Sequence, residues 1–167
     1  LGRFRLIRIA RTEDGPVRSS IRAEFAWRNS SIEMTHSLWR TADQLSVLCE
    51  VNWQEHETML KWEMHCAGDT SGSTAEIPFG FAKRPSDGVE YPMQSWVRLG
   101  NLTVINDGKF AYDALDSRLR ITLLRSPRYA HHTPKVCTPE EHYPFIDQGW
   151  QTMRFARCPA ALSPMEA

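Results

Sequence analysis

From Val17 to Trp27 the chain alternates. Val17, Ile21, Ala23, Phe25 and Trp27 are apolar, while Arg18, Ser20, Arg22, Glu24 and Arg28 are polar. A period of two sends successive side chains to opposite sides of an extended backbone, so this run predicts a strand with one buried and one wet face. The pattern returns at Ile32, Met34, His36 and Leu38, at Leu45, Val47, Cys49, Val51 and Trp53, and at Leu60, Trp62 and Met64. Asn29-Ser30 and Thr41-Ala42-Asp43 separate these runs at hairpin distance. The expectation is four consecutive antiparallel strands, preceded by another over Phe4–Arg11 that stops at Asp14-Gly15-Pro16.

The second half is less regular. Residues 68–74 predict a small-residue loop, followed by a short strand ending at Pro78-Phe79-Gly80. The span 83–92 holds two prolines, a glycine and two acids and predicts an exposed loop. Strands are expected over Trp96–Leu99, Leu102–Ile105, Arg118–Arg125 and Gln148–Arg157, with a tight turn at Asn106-Asp107-Gly108. Residues 131–144 predict an extended loop. No stretch carries helical periodicity. Many strands at spacings near ten residues, punctuated by Pro and Gly, give the class: all-β, an antiparallel β-sandwich with little or no helix. One domain is expected over residues 1–167, with 158–167 as a frayed tail.

Composition narrows the partners. Twenty basic and twenty acidic side chains leave a net charge of zero. Duplex nucleic acid and anionic membranes, which are recognised by bulk electrostatics, are therefore not expected partners. No apolar run approaches the roughly 20 residues of a transmembrane helix, and Arg3, Arg5 and Arg8 interrupt any apolar core of a leader. Cys49, Cys66, Cys137 and Cys158 form no C-x-x-C pair, so free thiols are expected, with two disulfides as the alternative in a secreted chain. The chain begins at Leu1 inside a strand-like pattern, which predicts a piece of a longer product.

Seven segments occur in a telling order. Gly15-Pro16-Val17-Arg18 opens a strand. Asn52-Trp53-Gln54-Glu55-His56 with Leu60-Lys61 resembles D-W-x-E-x-H…L-K, and Glu76-Ile77-Pro78-Phe79-Gly80 with Arg84-Pro85 resembles E-I-P-[FY]-G…R-P. Trp96-Val97-Arg98-Leu99 resembles W-V-D-L, and Ile105 to Phe110 resembles L-N-D-x-K-Y. Leu119 to Pro127 resembles L-R-L-T-L-L-R-S-P, and Asp147-Gln148-Gly149 resembles D-x-G. Together they resemble the C-terminal β-domain of glycoside hydrolase family 38, the retaining α-mannosidases, from about residue 15 to 157. Asn52 and Arg98 stand where that family usually has Asp, Leu99-Gly100-Asn101 is shorter than its loop, and Ala111 replaces a frequent Gly. These departures bear on loop geometry.

The resemblance implies a galactose-mutarotase-like supersandwich without catalytic machinery. Catalysis would belong to an N-terminal barrel of the same polypeptide, where zinc or another divalent metal grips an α-mannoside and an Asp attacks the anomeric carbon. No cofactor is expected in this chain. The resemblance also implies a cytoplasmic, bacterial-type enzyme; association with further copies of itself is left open. The turn Asn106-Asp107-Gly108-Lys109, with Arg84 and Asp147, is the candidate edge of the sugar site or interface with the barrel; the competing reading is a plain hairpin turn.

Other constellations point elsewhere. His131-His132, His142 and His65-Cys66 lack converging metal-ligand spacing. Glu140-Glu141, and Glu55 with Glu57, are weak candidates for a carboxylate pair. His56 with Glu55 or Glu76 would be the acid–base pair of a mutarotase-like epimerase. Trp53 and Trp62 fall in phase with core residues, whereas exposed aromatics would make a stand-alone carbohydrate-binding module. Arg125-Ser126-Pro127-Arg128 is expected to be a solvated strand end.

Overall fold

The computed structural model describes residues 2–129, 138 and 142–159. Among them there is no helix and two sheets form. The elements are β1 (Arg5–Asp14), β2 (Arg18–Trp27), β3 (Ser30–Trp39), β4 (Leu45–Trp53), β5 (Met59–His65), β6 (Gly72–Ile77) and β7 (Gly80–Pro85). They continue with β8 (Tyr91–Pro92), β9 (Trp96–Leu99), β10 (Leu102–Asn106), β11 (Ala111–Leu115), β12 (Arg118–Arg125) and β13 (Gly149–Pro159). The large sheet runs β1-β2-β3-β4-β13-β10-β9-β6-β7 and the small one β5-β12-β11-β8. All described strand pairings are antiparallel.

The all-β expectation holds, and so does the meander of the first strands: β1 to β4 pair in order. The fifth run does not continue it. Leu60 and Met64 face the core from the opposite sheet, where β5 pairs with β12, and β4 instead takes β13. Alternation reports which faces a strand has, not which strand lies beside it. Residues 83–92 are not one loop, because β7 ends at Pro85 and β8 begins at Tyr91. In the edge strand β7 an apolar Phe81 is exposed and a charged Arg84 half-buried, so polarity does not follow burial and the sequence shows no alternation. The strand β11 also escapes the sequence pattern, because Asp113 interrupts its short apolar run. His131, His132, Cys137, Glu140, Glu141 and the tail from 160 lie outside the described residues.

The core lies between the sheets. Cys49, Val51, Trp53, Val97, Leu99 and Val104 come from the large sheet, and Tyr112, Leu119 and Ile121 from the small one. Two polar groups in this layer are paired across it. The Tyr112 hydroxyl meets Ser73 Oγ at 2.9 Å, and the Trp53 indole N–H donates to Ser126 Oγ at 3.1 Å. Burial pushes the Cys49 thiol up to about 12, which leaves it without a reactive thiolate at neutral pH. Cys49, Cys66 and Cys158 are free thiols.

The outer face of the small sheet carries a buried charge. Asp113, 2% exposed, lies 2.5 Å from both Lys61 Nζ and an Arg120 guanidinium nitrogen. Glu90 extends the network to Lys61 and to the Thr122 hydroxyl. Cross-strand register brings these groups together: Arg120 is opposite Asp113 on one side and Glu63 on the other.

One glycine is demanded by contact as well as by φ. Gly100 (φ +54) turns β9 into β10, and an added Cβ would lie 2.1 Å from the Ala67 carbonyl oxygen. That carbonyl accepts the Asn101 N–H, while Asn101 Oδ1 accepts the Ala67 N–H, each at 2.9 Å. Backbone on both sides cannot give way, so Gly100→Ala is expected to cost about 2 kcal/mol, read as a lower urea midpoint at unchanged slope.

Candidate functional site

One end of the sandwich gathers most of the features that sequence reasoning singles out. The β2–β3 hairpin, the β4–β5 loop, the β6–β7 hairpin, the turn after β10 and the approach to β13 all meet there, because Trp53 pairs with Gly149 and Asn106 runs toward the start of β13. Non-glycine residues with positive φ concentrate there too: Arg28 (51°), Glu57 (50°), Phe79 (66°) and Asp147 (56°). The two others, Asp116 and Ser117, form the β11–β12 hairpin at the opposite end.

Glu55 holds this end together. It is 5% exposed, and its Oε1 accepts the Asn29 N–H at 3.1 Å and the Ser30 hydroxyl at 2.9 Å. Ser30 Oγ in turn accepts the Gln54 N–H, and Gln148 Nε2 donates to the Glu55 carbonyl at 2.9 Å. The β2–β3 hairpin is thereby tied to the Glu55 carboxylate and the approach to β13 to its backbone carbonyl. His56 stacks on Phe145 with ring centroids 3.8 Å apart. The Glu76 carboxylate accepts the Ser95 N–H at 2.7 Å. His56, Glu55 and Glu76 are thus committed to loop architecture and do not converge as an acid–base pair. Nor do Glu55 and Glu57 face one another. Glu55 turns inward, while Glu57 pairs with Arg128 Nε at 2.8 Å.

Asn106 is buried and fully bonded. Its Nδ2 donates to the carbonyls of Gln94 and Ser95 at 3.1 and 3.2 Å, and its Oδ1 accepts the N–H groups of Gly108 and Lys109 at 3.0 and 2.6 Å. The turn is not a hairpin. It carries the chain from β10 in the large sheet to β11 in the small one, and Asn106 closes it locally. Asp107 continues the β10–β13 ladder with its side chain: Oδ1 accepts the Arg154 N–H at 3.0 Å. The Lys109 backbone is spent on Asn106, and its side chain is half-buried.

Asp147 accepts the Arg125 N–H at 3.2 Å, and its carbonyl accepts from Gln151 at 2.9 Å. Along β13, Arg154 stands roughly 17 Å from Gly149 at about 3.4 Å per residue, so Asp107 and Asp147 mark two places on the same end. Arg84 stands apart. It lies toward the far end of β7, its guanidinium 5.5 Å from the Tyr91 ring centroid. Four of the five candidates therefore share an end, and Arg84 does not.

Beside Asp147 lies an open groove of about 710 Å³ lined by Glu57, Met59, Arg125 and Arg128. Exposed Met59, Phe79, Phe110 and Trp150 stand on the same end. Phe79 was hidden in the sequence. Pro78 sets the first turn residue and Phe79 takes the left-handed second position normally filled by Gly, which throws the phenyl ring fully into solvent. A Pro-Phe-Gly hairpin reading would have found it. Among the described residues, no group of three His, Cys, Asp or Glu is placed to hold a metal ion.

Residues 5–134 match the family model described as the glycosyl hydrolases family 38 C-terminal domain. The chain belongs to that family. This family 38 C-terminal domain is 24% identical over 133 residues to the protein called alpha-mannosidase G of Dictyostelium discoideum, an alignment covering 70% of this chain and 12% of that relative. Its fold matches a protein in glycosyl hydrolase family 38 from Enterococcus faecalis with a TM-score of 0.78 at 17% identity, covering 93% of this chain and 23% of the other. An alpha-mannosidase from Enterococcus faecalis V583 matches with a TM-score of 0.76 at 16% identity, covering 93% and 22%. The domain thus spans about a quarter or less of each of these relatives.

Proposed function

We propose that this chain is the non-catalytic β-domain of an enzyme that hydrolyses terminal α-mannosides with retention, and that the Asn106–Asp147 end packs on the catalytic barrel of the same polypeptide and edges its sugar site. The reading rests on one observation: loops, strained non-glycine residues and exposed Phe79, Phe110 and Trp150 collect at a single end, beside a groove with two arginines. Exposed rings suit the apolar faces of a sugar or of a neighbouring surface, and guanidinium groups suit hydroxyl and carboxylate oxygens. Retention needs two carboxyl groups about 5 Å apart on the barrel. Any zinc or other divalent metal belongs there, outside this chain. The three free thiols support a reducing cytoplasm.

The enzyme of the complete reading frame, assayed on p-nitrophenyl α-mannoside, tests this. Phe79→Ala and Asp107→Ala are each expected to lower kcat/KM about tenfold, the effect of losing about 1.4 kcal/mol of contact, with Tm little changed. Unchanged kcat/KM in both variants sinks the placement of the site edge. Methyl α-mannoside titrated calorimetrically into the 167-residue chain is expected to give no saturable heat; saturable heat would favour a stand-alone carbohydrate-binding module.

A further inference from the structure

The two sheets differ greatly in width. At about 4.8 Å between strands, the nine-stranded sheet is roughly 40 Å across and the four-stranded one roughly 20 Å. The small sheet covers one side only. Trp62 of β5 packs on Phe155 of β13 with centroids 5.0 Å apart, and Tyr91 of β8 lies against Arg84 of β7. Beyond β5, Ala23, Ile32 and Met34 are still buried, but β1 and the far ends of β2 and β3 form a wing whose inner-face Leu6, Ile9, Ile21 and Leu38 are exposed among the described residues.

Register shows that this wing belongs to the core face. Ile9 is opposite Ala23, Ala23 opposite Met34, Met34 opposite Cys49, and Cys49 opposite Met153. That row drops from 62% exposed at Ile9 to 6% at Ala23, 9% at Met34 and 0% at Cys49, so its exposed part is β1. The next row joins Ile21, His36, Val47 and Phe155, and falls from 46% at Ile21 to 2% at Val47. Leu6 and Leu38, on the same face, are also exposed. These apolar side chains continue the core without a break and end in water, the signature of an interaction surface.

Two further observations say what covers them. The outer edge of β5 is unpaired and borders the wing, so its backbone N–H and C=O groups can accept another strand. Arg157, opposite Leu45 on this face, has a buried Nε with no hydrogen-bond partner among the described residues. Its charge reaches His36, whose protonation burial already disfavours. A second copy added at β1 is disfavoured, because that edge carries Arg5, Arg8 and Arg11 and two register shifts.

We infer that one or more extended segments from the rest of the same polypeptide pair with the free edge of β5 and lie across Leu6, Ile9, Ile21 and Leu38, bringing a carboxylate to Arg157. The inference rests on the longer-polypeptide part of the proposed function, not on mannoside chemistry; relatives several times longer supply the chain it needs.

The test uses the polypeptide of the complete reading frame. Ile9→Cys and Ile21→Cys are expected to react with a maleimide at least a hundredfold more slowly than Arg22→Cys, which sits on the outer face of β2. Where a variant fails to fold, hydrogen exchange of the wild type reads the same interface. The alternate amides of Met59–His65 that do not bond β12 are expected to be protected. Equal labelling rates, rapid exchange along β5, or protection that grows with protein concentration (a second copy) overturns the inference. α-Mannoside hydrolysis measured on the same preparation separates the two readings. Protection without hydrolysis keeps this one and removes the other; hydrolysis without protection does the reverse.

Discussion

Asp113→Asn is expected to lower the unfolding free energy of the 167-residue chain by about 3–5 kcal/mol, the range for removing one partner of a buried ion cluster. The carboxylate is 2% exposed and lies 2.5 Å from both Lys61 and Arg120, so its amide replacement leaves two part-buried cations facing a neutral group. Native domains have only about 5–15 kcal/mol to lose. Urea unfolding by fluorescence reads the effect as a lower midpoint with unchanged slope. Asp116→Asn provides the contrast. Its carboxylate bonds Arg118 on an exposed hairpin, and an exposed pair contributes at most about 1 kcal/mol. A loss below 1 kcal/mol for Asp113→Asn would show that water reaches the cluster and that the charges are screened.

Trp53→Ala is the other large effect, expected to cost about 3–5 kcal/mol. Its indole is fully buried, stacks on Trp27 at 6.2 Å and donates its N–H to Ser126. Ser126 also bonds Thr58 and Glu57, so the substitution opens a cavity and leaves a buried hydroxyl short of one partner. Trp53→Phe separates the two contributions. It restores much of the volume but not the donor, and is expected to recover about half of the loss. If Trp53→Phe were as damaging as Trp53→Ala, the hydrogen bond would outweigh the packing.

What was legible in the sequence follows from what sequence periodicity measures. The runs around Ala23, Met34, Cys49, Ile121 and Met153 alternate because each is a strand with one dry face, and each is a strand in the structure. The β11 and β7 strands were not legible. In β11, Asp113 occupies a buried outer position that only Lys61 and Arg120, from two other strands, make tolerable. In β7, Phe81 lies on the exposed face and Arg84 on the half-buried one, so polarity does not report burial. Among the site candidates, Asn106, Asp107 and Asp147 were found as polar turn residues, but their partners at Ser95, Arg154 and Arg125 are distant in sequence and could not be. Phe79 was missed because a phenyl group is ordinarily counted toward the core, and only the left-handed turn expels it.

By itself, then, the sequence determined the class of fold and the kinship. Alternation at period two is a local property of extended backbone, and the seven ordered motifs of family 38 lie along one chain. Tertiary structure alone decided that β4 pairs with β13 rather than β5, that Asn106 turns between sheets, that Arg84 lies apart from the other candidates, and that Leu6, Ile9, Ile21 and Leu38 are left bare. Each is a pairing or a separation between residues far apart in the chain. Burial there depends on which surface arrives from elsewhere, and no local pattern of side chains encodes that.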